Sequence, residues 1–175
     1  MSQLILVDAA LGLDAVGGLP PCESASWVHS LLRSPRLRTA LLSASVSPPE
    51  TTAFWLRQFV SRKDAVTVER VPAYQTPFTQ RHFTAGLGAW AEQFTQASCE
   101  DAISLKESAL RALKVPVSLV WGRNDTVTPL AQAHGLKARW PGADLTVLDG
   151  VGHIPHIEDP EAFHEALIGA LKNLQ

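Results

Sequence analysis

From Val115 onward the sequence alternates between two periodicities. "VPVSLVW" (115–121) is a continuous apolar run, and "TPLAQAHGLKARW" (128–140) places Thr128 as an N-cap with Pro129 at the first helical position. "ADLTVLD" (143–149) reads as a second strand, and "DPEAFHEALIGAL" (159–171) repeats the Asp-Pro helix start. Strands separated by helices pair in parallel with right-handed crossovers, so this order predicts a parallel α/β sheet. "LILV" (4–7) joins it as a run suited to a strand buried on both faces. That strand starts at residue 4, and we expect it to lack a neighbour on one side, as in a truncated chain. Its edge carries no charge or proline to blunt association.

Between these parts the character changes. "AALGLDAVGGLPP" (9–21) is a glycine- and proline-rich loop leaving the sheet, and residues 22 to about 112 look helical and irregular. "SASWVHSLLR" (24–33) predicts a helix with Trp27 and Leu31 on one face, interrupted at Pro35. Phe83, Leu87, Trp90 and Phe94 recur at helical spacing in a segment that Gly86 and Gly88 weaken.

Composition excludes several functions. A net charge of -2 gives no electrostatic reason to bind nucleic acid or an anionic membrane. Cys22 and Cys99 stand far apart without metal-ligand spacing, so neither a zinc site nor a disulfide framework is expected. No apolar run is long enough to span a bilayer, and the first residues lack the basic start of a signal peptide. A cytoplasmic protein without metal or organic cofactor is the expectation.

In parallel α/β sheets chemistry gathers beyond the carboxyl ends of the strands. "GRNDTVTP" follows the strand at 117–121 and delivers Asp125; "DGVGHIPH" follows the strand ending near Leu148 and delivers His153. Adjacent strands bring these loops side by side. A carboxylate there accepts the imidazole Nδ1 proton, fixes the tautomer and stabilises the imidazolium formed when histidine takes a proton.

The pattern "VPVSLVWGRNDTVTP" followed by "GVGHIPHIEDPEAF" resembles the C-terminal half of α/β-hydrolase-fold enzymes, and "LILVDAALGL" resembles their sixth strand. The resemblance implies a partial α/β-hydrolase fold, with about three parallel strands, flanking helices and an inserted helical cap. It assigns residues 1–19 and 106–175 to the core and 20–105 to the cap, and makes Asp125 and His153 the catalytic acid and base. In that family the nucleophile precedes the sixth strand on a G-x-S-x-G elbow. No such elbow, nor a Cys- or Asp-centred version, occurs in these residues. The resemblance therefore implies a nucleophile outside this chain.

Plainer readings stand beside these. Asp125 suits an Asx-type turn that stabilises its own loop. Asp8 also ends a strand, where some relatives carry the acid, but the better match of Asp125 leaves it a local structural role. His156 and Glu158 are expected to hold the loop and the following helix entrance. His29, His82, His134 and His164 have no metal-ligand spacing. Trp27, Trp55 and Trp90 suit either the packing face of cap helices or an apolar pocket, and Trp121 suits packing beneath the site. Ser43, Ser45 and Ser47 lack elbow glycines.

Two functional expectations follow. One is a hydrolase acting on an ester or similar small apolar substrate through an acyl-enzyme, or, with an aspartate nucleophile, a dehalogenase or epoxide hydrolase. The other is a catalytically inactive fragment, or a non-enzymatic module that docks to the missing N-terminal half.

Overall fold

The structure is a computed structural model that describes residues 3–18, 33–96 and 106–172. Cys22, Trp27, Cys99 and nearly all of the helix expected over 24–33 lie outside the described residues. The chain divides into two compact units: Met1–Pro21, Phe59–Ala65 and Ala102–Gln175 form one, and Cys22–Gln58 and Val66–Asp101 the other.

The first unit is built on a parallel sheet of β1 (Leu4–Val7), β2 (Val117–Gly122) and β3 (Asp144–Leu148), in the order β1-β2-β3. Leu4 pairs with Val117 on one side of β2, and Val120 pairs with Thr146 on the other. Every residue of β2 is buried, which explains its unbroken apolar run. β1 corrects the sequence expectation. Its four residues are half-buried rather than fully buried, because among the described residues it has a neighbour only on its β2 side.

Alternation along β2 sends its side chains to two faces. On one, Val120 packs with Leu148, Val151 and Ala166, closed by Ile5, Val7, Ala162 and Phe163. Ala162, Phe163 and Ala166 belong to the helix Pro160–Lys172, which Asp159 starts by accepting the Ala162 N–H at 3.0 Å. A second helix, Leu130–Arg139, packs on β2 and β3 through the buried Ala133 and Leu136. It begins one residue later than expected. Thr128 does not cap it, since its hydroxyl is turned to Asp125 instead.

Among the described residues, the second unit is built from helices and the turns between them. Numbered along the whole chain, α1 (Pro35–Ser45), α2 (Pro49–Phe59), α3 (Val71–Gln75) and α4 (Phe83–Gln96) lie here, the last residue of α2 crossing into the first unit. The remaining helices are α5 (Glu107–Ala112), α6 (Leu130–Arg139), α7 (Pro155–Glu158) and α8 (Pro160–Lys172). Gly88 weakens α4 as an isolated helix but lets α1 approach: a Cβ there would stand 2.9 Å from the Arg38 side chain, which pairs with Glu92. Trp55 and Trp90 are exposed, so neither is a core residue of this unit. No helix among the described residues is long and apolar enough to cross a membrane.

Gly122, where β2 ends, is the tightest point of the sheet. A Cβ on it would lie 2.1 Å from the Gly152 carbonyl oxygen and 2.7 Å from that of Val151, so backbone would have to move. Gly122→Ala is expected to lower stability by about 3 kcal/mol, as overpacking at a rigid contact does. The open Gly142, whose Cβ would meet nothing within 4 Å, should accept Ala with a change of about 0.5 kcal/mol or less. Urea denaturation of the two variants checks the contrast, and equal losses would contradict it.

Candidate active site

The turn after β2 folds back on the loop after β3 through backbone bonds. Arg123 N–H donates to the Leu148 carbonyl and Asn124 N–H to that of Val151, both at 2.9 Å. Asp125 then enters a buried position with its two oxygens divided between two tasks. Oδ1 accepts the backbone N–H groups of Val127 and Thr128 at 2.7 and 2.9 Å, which is the turn-stabilising role. Oδ2 accepts the Thr128 hydroxyl at 2.6 Å and faces His153 Nδ1 at 2.9 Å. The turn role and the histidine-pairing geometry therefore coexist in one side chain.

His153 is held from several directions. Its backbone N–H donates to the Phe59 carbonyl at 2.9 Å, and the Phe59 ring stands edge-on to the imidazole with centroids 6.1 Å apart. Nδ1 lies on Asp125, and the side chain keeps 25% of its surface exposed. Nε2 has no hydrogen-bond partner among the described residues. The geometry is that of an oriented imidazole with a free second nitrogen, able to take a proton from a neighbouring group.

Electrostatics reinforce the pair. Burial works against ionised Asp125, but hydrogen bonds from His153 and Thr128 outweigh it and hold the carboxyl below its ordinary range. Burial likewise disfavours the imidazolium, yet the Asp125 hydrogen bond and charge, with smaller contributions from Asp8 and Glu158, raise His153 above its ordinary value. Asp8, at the end of β1, accepts the Gly122 N–H at 2.8 Å through Oδ1. No group of three or more His, Cys, Asp or Glu side chains among the described residues is arranged to hold a metal ion.

Glu158 is the fastener of the His153 loop. Its buried carboxylate accepts from the backbone of Gly152 and Ile154 within that loop, and from Ser61 and Arg62 in the Phe59–Ala65 stretch, at 2.7 to 3.2 Å. Arg62 reaches back to the Glu158 carbonyl and to the Asp159 carboxylate, at 3.2 and 3.0 Å, while Asn124 donates to Ser61 Oγ at 3.0 Å. Trp121, fully buried, donates its indole N–H to the Thr128 carbonyl at 2.7 Å and so steadies the Asp125 turn from below.

Sequence reasoning brings out Asp125, His153 and the holding role of Glu158, and leaves out Phe59, Ser61 and Arg62. Nothing local in "FVSRKDA" marks it as part of the site, because its partners lie some ninety positions later. Thr128 was legible only as a cap. His156 stands on α7 with its ring 6.2 Å from that of Phe163.

Comparison with known proteins bears on this arrangement. The profile of the "Alpha/beta hydrolase family" matches residues 4–166. An uncharacterized protein of Mycobacterium tuberculosis is 41% identical over 49 residues, 28% of this chain and 14% of its own length. The pimeloyl-(acyl-carrier protein) methyl ester esterase of Aromatoleum aromaticum is 41% identical over 54 residues, 31% of this chain and 22% of that enzyme. In structure, the meta-cleavage product hydrolase of Pseudomonas fluorescens superposes with a TM-score of 0.69 at 17% identity, over 99% of this chain and 57% of that one. The 2-hydroxy-6-oxo-6-phenylhexa-2,4-dienoate hydrolase of Rhodococcus gives 0.62 at 18% identity, over 98% and 55%. The chain thus spans little more than half the length of these solved structures, and a smaller part of the curated relatives.

Two outcomes follow from the geometry. Asp125→Asn removes the charge that raises His153, so the imidazole midpoint, followed by proton NMR, should move to lower pH. The sign for stability is fixed: His153 contributes stability that is fully present below its ordinary 6.5 and lost as pH rises through its raised folded value. That limb of the stability profile should shrink in Asp125→Asn. Separately, Glu158→Ala strands several buried N–H groups and should cost about 3 kcal/mol in chemical denaturation, with Glu158→Gln losing less.

Proposed function

Since the chain belongs to the alpha/beta hydrolase family, we propose that it carries the acid and base of a hydrolase acting on a carboxylic ester or similarly small apolar substrate. The observation that carries this reading is the 2.9 Å pair of Asp125 Oδ2 and His153 Nδ1, standing beyond the carboxyl ends of adjacent parallel strands. In the proposed cycle, His153 Nε2 takes the proton of a serine hydroxyl as that oxygen attacks the carbonyl carbon. Asp125 holds the Nδ1 proton and stabilises the imidazolium. The imidazolium then gives its proton to the leaving alcohol as the carbon–oxygen bond breaks and an acyl-enzyme remains. Water, deprotonated by the same nitrogen, releases the acid and restores the serine.

The nucleophile and the oxyanion-hole donors are assigned to residues beyond these 175, because no G-x-S-x-G elbow occurs among them. With an aspartate nucleophile the cycle becomes dehalogenation or epoxide opening through an alkyl-enzyme, His153 acting only on the water. The helical unit, inserted between β1 and β2, is assigned as the cap, and its exposed Phe54, Trp55 and Trp90 suit an apolar substrate. We assign the protein to the cytoplasm on the same reading.

A second reading has one observation in its favour. β1 pairs only with β2 among the described residues, so its other edge is open to a further strand. On that reading this chain acts by docking to a partner that completes the sheet.

Hydrolysis of p-nitrophenyl butyrate by the longest polypeptide that contains these residues tests the enzymatic reading. His153→Ala should lower kcat by about 10³-fold or more, and the activity should rise with pH as the imidazole loses its proton. A fluorophosphonate probe should label a serine in that polypeptide and leave these 175 residues alone unlabelled. Undiminished hydrolysis in His153→Ala would rule the assignment out.

A further inference from the structure

We propose that Asp8 is a positioning residue of the Asp125–His153 pair, a second carboxyl seated behind the acid that sets the pH at which His153 becomes a free base. The proposal rests on reading His153 as the base and adds a group that reading does not use. Its ground is the way Asp8 is built into the Asp125 turn.

Asp8 ends β1 with a left-handed φ of 42°, a conformation that non-glycine residues adopt at a cost and that gathers at functional positions. Three contacts fix it. Its N–H donates to the Val120 carbonyl at 3.1 Å, its carbonyl accepts the Thr128 hydroxyl at 3.2 Å, and Oδ1 accepts the Gly122 N–H at 2.8 Å. The hydroxyl of Thr128 is the same one that lies 2.6 Å from Asp125 Oδ2 and 3.4 Å from His153 Nδ1. The Asp8 backbone thus shares the Thr128 hydroxyl with the pair, while its carboxyl lies on the Gly122 N–H of the same turn and feels the Asp125 carboxyl directly. Its remaining oxygen, Oδ2, is buried and has no hydrogen-bond partner among the described residues.

A purely structural carboxylate has no need of such a place. Anchoring the Gly122 N–H takes one oxygen, and a neutral amide does it as well. Burial, followed by the like charge of Asp125, pushes the Asp8 carboxyl up to about 7 against the Gly122 N–H and the His153 charge, which lower it. Asp125 and His153 are the titrating groups that act on Asp8, and His153 in turn feels Asp125, Asp8 and Glu158. Near neutral pH the Asp8 proton leaves. The new negative charge then stabilises the imidazolium and carries the His153 midpoint upward, so the base is freed at higher pH than Asp125 alone dictates.

The experiment uses the longest polypeptide that contains these residues and needs no turnover. The His153 ring is titrated by proton NMR in wild type, Asp8→Asn and Asp125→Asn, while the Asp8 side-chain carboxyl is followed by carbon-13 NMR in wild type. Asn keeps the acceptor for Gly122 and tolerates left-handed φ, so Asp8→Asn removes chiefly the charge. Wild-type Asp8 should titrate near 7, and the His153 curve should carry a second inflection there. In Asp8→Asn that inflection should be absent and the midpoint lower.

An Asp8 carboxyl that titrates in the ordinary range would overturn the proposal without any variant, even if Asp8→Asn does not fold. So would a folded Asp8→Asn with an unmoved His153 midpoint, which is the signature of a structural role alone. If Asp125→Asn still shifts His153 in that case, the pair stands and only the role of Asp8 falls. If Asp125→Asn leaves His153 unmoved as well, the acid–base reading fails with it.

Discussion

The backbone contact between the turn after β2 and the loop after β3 is the constraint on which the site depends. Gly122 lies so close to the Gly152 carbonyl that no side chain fits between them, and the Arg123 and Asn124 N–H groups close the gap with hydrogen bonds. Parallel pairing alone sets the strand ends a sheet spacing apart. This further approach takes residues 28 positions apart in sequence to a 2.9 Å contact. Side-chain chemistry is thus set by a backbone fit, and a conservative change at glycine reaches the histidine without touching it.

Much of this was legible in the sequence because the second half states its periodicities plainly. The apolar run 117–121 became a fully buried central strand, and Asp159 before Pro160 became the start of a helix, each for the reason its residues suggest. The Asp125 and His153 loops fell at the ends of neighbouring strands. Thr128 was misread because a hydroxyl before proline is equally apt as a cap and as a donor to a buried carboxylate. Local sequence does not contain the competitor. Once Asp125 is 5% exposed, satisfying it outweighs capping the helix.

The Phe59–Ala65 stretch illustrates the other limit. Read along the chain it sits inside a helical insertion, and no periodicity distinguishes it. Yet it belongs to the sheet-bearing unit and supplies the carbonyl that receives His153 N–H, the ring beside the imidazole and two N–H groups for Glu158. Its placement comes from Glu158, a carboxylate far along the sequence that gathers donors from two separate segments. Long-range hydrogen bonding to backbone leaves no mark on the segment that donates, since any residue but proline carries the N–H.

Three carboxylates surround His153, and the donors each receives decide how the charge is shared. Glu158 takes N–H groups from four residues, and Asp125 takes two N–H groups, a hydroxyl and the imidazole. Asp8 receives one N–H, although it is as buried as the other two. A low-dielectric site tolerates ionised carboxylates in proportion to the hydrogen bonds that replace water. Of Asp8 and Asp125, the poorer in donors keeps its proton longer, and the backbone carbonyl of that residue accepts the same threonine hydroxyl that bonds the pair. The imidazole thus faces a charge that stays constant through neutral pH, from Asp125, and one that switches, from Asp8. Without that second carboxyl, the His153 equilibrium would depend on a single fixed partner.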